Sequence, residues 1–151
     1  MFRSIVALIV LASVVLFANS ATAGEYTYLQ DARGQIYIAI QVLESTGGNW
    51  AGTRKRAIET LKGAMAEVDA ALRFVGVTTY KEAPFIKGKG LDRLPQCVKV
   101  MREAREKLSN AGGGFGTHRM SAIRALDAAI RELETGIAKG PQPGKRGKVA
   151  R

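Results

Sequence analysis

The chain has 151 residues, with 23 Lys and Arg against 13 Asp and Glu, and a single cysteine, Cys97. This length is enough for one domain with one hydrophobic core and excludes two ordinary domains. One cysteine excludes an internal disulfide, so stability has to come from packing. The formal net charge of +10 favours acidic partners over basic ones.

Residues 1–23 have the pattern of a secretory signal peptide. Arg3 precedes an apolar run over residues 5–17, and the small residues Ala21 and Ala23 give an A-x-A cleavage pattern. We expect cleavage after Ala23 and a periplasmic or secreted protein. An uncleaved membrane anchor is the alternative, but the apolar run is shorter than the roughly 20 residues that span a bilayer.

Apolar spacing predicts a first helix over about 28–45. Apolar residues recur there at intervals of four, three and four, the period of one helix face, at Ala32, Ile36, Ala39 and Leu43. The alternation of Ile36, Ile38, Ile40 and Val42 raises a strand alternative, which the length of the segment disfavours. Glycines at 47 and 48 then end the helix.

The second helix is predicted over about 50–75, where apolar residues step by four and three throughout. Ala57, Ala64 and Ala71 recur every seven residues within this stripe. We expect these small side chains to let a neighbouring helix approach closely.

A connection of 18 residues, 76–93, follows the second helix and contains Tyr80, Phe85 and Ile86. Connections of this length are uncommon unless they cover something or are functional. We expect the three apolar side chains to fold over the open end of the bundle. The alternative is a recognition loop charged by Lys81, Lys87 and Lys89.

The third helix begins near 92–95, and Cys97 takes the place in it that Ala32 has in the first helix. Cys97 is therefore predicted to be a small core residue and not a reactive thiol. The fourth helix, about 117–138, reproduces the second row for row, with Ala122, Leu126 and Ala129 matching Ala57, Leu61 and Ala64.

An internal repeat with an offset of 65 residues therefore organises the chain: residues 28–75 and 93–138 are two copies of one helical hairpin. Each hairpin alone leaves an apolar stripe open. The predicted fold is all-α, a duplicated helical hairpin forming a four-helix bundle over 24–138. Pairing of hairpin faces between two chains, which gives a homodimer, is a second arrangement.

Residues 139–151 form a basic segment without an acidic residue, rich in glycine and proline, and we expect it to be disordered. It holds five of the basic residues, including Lys145, Arg146 and Lys148, whereas residues 24–138 hold 17 basic and 13 acidic residues. More than half of the positive excess after residue 23 is thus at this end.

Two polar positions recur in both copies: Arg54 with Arg119, and Glu67 with Glu132. Each Arg is predicted at a helix N-terminus, where the helix dipole does not favour a cation. The structural hypothesis is that these groups pair, or that each Arg binds carbonyls of the glycine turn. The functional hypothesis is that both Arg side chains, with His118 as a further candidate, hold an anion at the turn end, near the N-terminal amides of the helix.

His118 is the only histidine and has no counterpart in the first copy. No zinc-protease, nucleophile-elbow or P-loop motif and no Cys-x-x-Cys-His occurs in the chain. We therefore predict no catalytic residue, no metal site and no cofactor.

The run Gly116-Thr117-His118-Arg119, followed by Ser121-Ala122-Ile123 and the helix carrying Glu132, resembles small exported bacterial helical-hairpin repeat proteins with a Gly-Gly-His-Arg type turn. The resemblance covers mainly 112–137 and more weakly 47–72. Thr117 stands where that pattern has Gly, and Thr53 where it has His. The resemblance implies fold and export but no activity.

The sequence therefore predicts an exported, non-catalytic binding or structural module. Its basic segment and the 76–93 connection would meet an anionic envelope component or an acidic protein. The alternative is a ligand-binding or enzymatic bundle with a site near His118, Arg119, Trp50 and Arg54. Export and the absence of interleaved aromatic residues argue against nucleic acid.

Overall fold

A computed structural model describes residues 23–46, 52–83 and 93–140 of the chain. These residues form four α-helices: Ala23–Ser45 (α1), Thr53–Phe74 (α2), Arg93–Asn110 (α3) and His118–Lys139 (α4). No strand occurs among them. The all-α prediction is confirmed, and the strand alternative for α1 is wrong. The predicted signal peptide, apart from Ala23, and the basic segment after Gly140 lie outside the described residues.

Helix boundaries follow local backbone chemistry. α1 begins at Ala23, five residues before the predicted start. α2 begins at Thr53 and not at Trp50, because Gly52 precedes it in the left-handed region, with φ of 78°, which glycine adopts without steric cost. Trp50 itself lies outside the described residues.

The rows of apolar residues that both copies of the repeat share form the centre of the core. Ile36, Ala39 and Leu43 of α1 are fully buried, and so are their counterparts in α3. In α2 and α4 the matching buried pairs are Ala57 with Ala122, Leu61 with Leu126, Ala64 with Ala129, and Val68 with Leu133. Burial of such side chains contributes about 1.5–3 kcal/mol for each large aliphatic residue.

The helices stand in a square in the order α1, α2, α4, α3, and each contacts only its two neighbours within the described residues. All neighbouring helices are antiparallel, because in each pair two polar contacts run in opposite order along the two helices. These contacts are Arg33–Asp69 with Glu44–Lys62, Asp31–Lys107 with Gln35–Glu103, Arg102–Glu134 with Arg105–Asp127, and Arg56–Glu132 with Glu67–His118. The two hairpins therefore close on each other within one chain.

The contact between α2 and α4 is the most extensive of the four. Small residues line it, as the heptad spacing predicts, and Gly136 takes in α4 the place of Ala71. A Cβ atom on Gly136 would lie only 2.8 Å from Cγ2 of Thr53. The two backbones thus approach so closely there that a side chain on Gly136 would collide with Thr53.

The described start of the connection from α2 to α3, residues 75–83, lies along the side of the bundle. α2 and α3 point the same way, so their connection must return over a helix length of about 33 Å. Tyr80 packs against the core, with the guanidinium carbon of Arg33 4.1 Å from its ring centre. Ala83 lies beside Gly34. Tyr80 therefore lies on the flank of α1 and not over an end of the bundle; Phe85 and Ile86 lie outside the described residues.

Candidate functional site

Arg54 binds the end of the preceding helix. It lies in the first turn of α2, and its Nη1 donates to the carbonyl oxygen of Thr46, the residue after α1. Thr46 is itself buried and donates its hydroxyl hydrogen to Val42. The guanidinium therefore lies at a helix C-terminus, where the dipole favours a cation.

Arg119 makes the equivalent contact in the second copy. Its Nη1 donates to the carbonyl oxygens of Leu108 at 3.1 Å and Ser109 at 3.2 Å, both in the last turn of α3. Each repeated Arg thus starts at an unfavourable helix N-terminus and places its charge at the favourable C-terminus of the preceding helix. The carbonyl-binding alternative of the structural hypothesis matches this geometry, although the acceptors belong to the helix ends and not to the glycines.

The two Arg side chains lie at opposite ends of the bundle. Arg54 is at the end where α1 stops, whereas Arg119 is at the end where α3 stops, and α1 and α3 are antiparallel. The structure therefore does not bring Arg54 together with Arg119 and His118. Because the two guanidinium groups lie at opposite ends of the bundle, they cannot bind the same small anion, and the hypothesis of a shared anion is wrong.

The repeated glutamates bind partners across the α2–α4 contact. Nδ1 of His118 lies 2.8 Å from Oε2 of Glu67, with both side chains somewhat more than one-third exposed. Glu132 accepts a hydrogen bond from Nε of Arg56. The sequence reasoning missed the Glu67–His118 pair, because nothing in the spacing shows which helices are antiparallel neighbours.

A carboxylate that orients an imidazole supplies two of the three members of a catalytic triad. Among the described residues, however, no hydroxyl or thiol is hydrogen-bonded to His118, whose partner is Glu67. The pair joins α2 to α4 at the surface.

Cys97 is confirmed as a core residue. It is 1% exposed, and its thiol faces the carbonyl oxygen of Ala39 at 3.6 Å. Burial raises the pKa of the Cys97 thiol to about 12. The thiolate, which is the nucleophilic form, is thereby disfavoured at neutral pH.

The solvent face of α4 is cationic. Its exposed residues are Met120, Arg124, Arg131, Thr135, Ala138 and Lys139. All three acids of α4 instead point sideways and pair with arginines of the neighbouring helices: Asp127 with Arg105, Glu132 with Arg56, and Glu134 with Arg102. Neither the Arg124 nor the Arg131 guanidinium has an ion pair or hydrogen bond among the described residues.

This face leads directly into the basic segment, because α4 ends at Lys139 and Gly140 closes it. The predicted contact residues Lys145, Arg146 and Lys148 lie outside the described residues, as do Lys87 and Lys89 of the connection. Beside the end of α4, an open groove is lined by residues of both α2 and α4: Thr53, Arg56, Ala128, Arg131, Glu132, Thr135 and Lys139.

Within the described ranges, no three His, Cys, Asp or Glu side chains are grouped as metal ligands. None of the four described helices has both the length and the apolar character needed to cross a bilayer.

Comparison with known proteins gives no match: no family model, no curated protein and no solved structure is similar to this chain. The resemblance to exported hairpin-repeat proteins stays a prediction.

Proposed function

We propose that the protein is an exported, non-catalytic helical module that contacts an anionic component of the cell envelope through its C-terminal basic segment. The observation that carries the proposal is the distribution of charge. Residues 139–151 hold five basic residues and no acid, and they continue from a helix whose acids are all paired and whose exposed unpaired charges among the described residues are positive. Such a surface attracts polyanions and opposes cationic partners.

The duplicated part of the chain supplies the scaffold in this proposal. Its shared residues are core rows, and its shared arginines are engaged at helix ends. Specificity for a partner then comes from the features that occur once: the basic segment, the α2–α3 connection and the α4 face. Repeat proteins commonly divide stability and recognition in this way.

A salt titration tests the proposal. The chain from Gly24 and a shorter chain ending at residue 138 are each mixed with sedimented envelope material at low and high ionic strength. We expect the longer chain to bind at low salt and to be released at high salt, because exposed charges are screened. The shorter chain should bind far less. Equal binding by both chains would show that the basic segment is not the contact.

The Glu67–His118 pair favours a second function, a small-ligand or enzymatic site at the start of α4. Replacing His118 with Gln tests it, because Gln retains a hydrogen-bond donor but lacks the imidazole ring. A ligand affinity or turnover that is lost in His118→Gln, with unchanged thermal stability, would favour this second function over the first.

A further inference from the structure

We propose that the exposed face formed by α4 and the adjoining edge of α2 binds the surface of an anionic lipid bilayer. This inference rests on the proposed function, and it names both the surface and the partner. Its boundaries are Arg56 and Lys139 at one end and Phe74 and Met120 at the other.

The spacing of the cations favours an extended partner. Arg124 and Arg131 are seven residues apart, which is about 10 Å along a helix. Lys139 lies about 12 Å beyond Arg131 by the same measure. One small anion cannot contact all three groups, whereas a plane of many phosphate headgroups can.

The charge on this face is uncompensated because of how the bundle is paired. Each acid of α4 is held by an arginine of α2 or α3. Those pairs neutralise the flanks of α4 and leave Arg124 and Arg131 facing solvent. A polyanion approaching the face therefore meets cations that need not first be released from intramolecular partners.

Two exposed apolar side chains favour a bilayer over a soluble polyanion. Met120 is 43% exposed on the same face of α4, one turn before Arg124. Phe74 is 66% exposed and lies seven residues after Glu67, on the side of α2 that faces α4. Interfacial proteins combine cations with such apolar groups, which enter the headgroup region.

Vesicle binding by the chain from Gly24 tests this assignment. Affinity is measured for vesicles of phosphatidylglycerol with phosphatidylcholine and for vesicles of phosphatidylcholine alone. We expect Arg124→Gln with Arg131→Gln to weaken binding to the anionic vesicles about fivefold for each charge removed, hence on the order of 20-fold. Thermal unfolding of each variant checks that the fold is retained.

The matched control removes two positive charges from the opposite side of the bundle, by Lys99→Gln with Lys107→Gln. Both lysines lie on α3, where Lys107 faces Asp31 of α1. A much smaller loss of affinity for anionic vesicles in this control would support binding through the face of α4 and α2. Equal losses in both double variants would mean that only net charge matters and would overturn the assignment.

A second pair of variants separates a bilayer from a soluble polyanion. Phe74→Ser with Met120→Ser should weaken vesicle binding several-fold while leaving binding to soluble polyphosphate unchanged. Unchanged vesicle binding would overturn the bilayer assignment.

Two outcomes distinguish failure of this inference from failure of the proposed function. If the intact chain is released from envelope material by salt but ignores anionic vesicles, this inference fails while the proposed function stands. The inference also fails, and the proposed function again stands, if removal of 139–151 abolishes vesicle binding and the Arg124→Gln, Arg131→Gln chain binds normally.

Discussion

The close approach of α2 and α4 at Gly136 predicts that a larger residue there will lower the free energy of unfolding. A Cβ atom there would lie 2.8 Å from Cγ2 and 3.2 Å from Cβ of Thr53, although carbon atoms pack best at about 3.5–4.0 Å. Thr53 is itself buried in the first turn of α2. It cannot move away without disturbing the helix start, so we expect Gly136→Ala to destabilise the bundle.

Two contributions of opposite sign determine how much Gly136→Ala changes the free energy of unfolding. Alanine favours a helix interior over glycine by about 0.8–1 kcal/mol, whereas overpacking a buried contact costs about 1–3 kcal/mol. The net destabilisation is therefore up to about 2 kcal/mol. Gly63→Ala is the control, because Gly63 is an exposed glycine of α2 with no atom within 4 Å of its added Cβ. Only the propensity term applies to it, so it should stabilise by about 1 kcal/mol.

Thermal and urea unfolding, followed by circular dichroism, measure both variants. A domain of this size shifts its Tm by about 4 °C for each kcal/mol. Adding Thr53→Ser to Gly136→Ala removes the obstructing methyl group and should recover most of the loss, which gives a favourable coupling energy in the double-mutant cycle. Stabilisation of Gly136→Ala equal to that of Gly63→Ala would refute this close packing of α2 against α4.

Three further predictions concern other parts of the chain. Arg119→Gln should lower the free energy of unfolding by about 1–2 kcal/mol, since charge-assisted bonds to the end of α3 are lost. Urea unfolding measures this change and should show no comparable change for Arg124→Gln. Equal losses of stability in the two variants would show that the bonds of Arg119 to α3 do not stabilise the fold. Burial raises the pKa of Cys97 to about 12 from the ordinary value of 9.0, so between these pH values the thiol keeps its proton in the folded chain and loses it in the unfolded chain. The free energy of unfolding of the wild type, compared with that of Cys97→Ala, should therefore fall by about 1.4 kcal/mol per pH unit between pH 9 and 12. A pH-independent difference between the two chains would show that the thiol is solvated. Tyr80→Ala should lower the urea midpoint, because it removes a cation–π contact with Arg33 worth about 0.5–2 kcal/mol; an unchanged midpoint would place the connection away from α1.

Helix positions and the core could be predicted from this sequence because both depend on local periodicity. The four-three spacing of Leu61, Ala64 and Val68 marks one face of a helix wherever that helix packs. Its recurrence at Leu126, Ala129 and Leu133 marks the same face a second time. All six residues are buried.

Cross-helix partners could not be predicted, because they depend on which helices are neighbours. The pairing of Glu67 with His118 requires that α2 and α4 be antiparallel and adjacent, and no spacing within either helix encodes this. The position of Tyr80 was predicted wrongly for the same reason. Placing Tyr80 over an end of the bundle assumes that α3 starts where α2 stops, whereas α3 starts at the opposite end.

The repeated arginines show an intermediate case. Their recurrence and their unfavourable position at a helix N-terminus indicated that each needs a partner. The identity of that partner followed only from the placement of the preceding helix end, which brings Thr46 to Arg54 and Leu108 to Arg119.

The salt dependence of binding to anionic vesicles measures how far the exposed cations and the basic segment drive that binding. Affinity is measured over a range of salt concentrations for the chain from Gly24, for the chain ending at residue 138, and for the Arg124→Gln, Arg131→Gln chain. We predict a steep fall with salt for the first and a shallower fall for each of the other two, because each cation removed reduces the number of ions released on binding. Three equal slopes, or affinity that does not change with salt, would contradict the account.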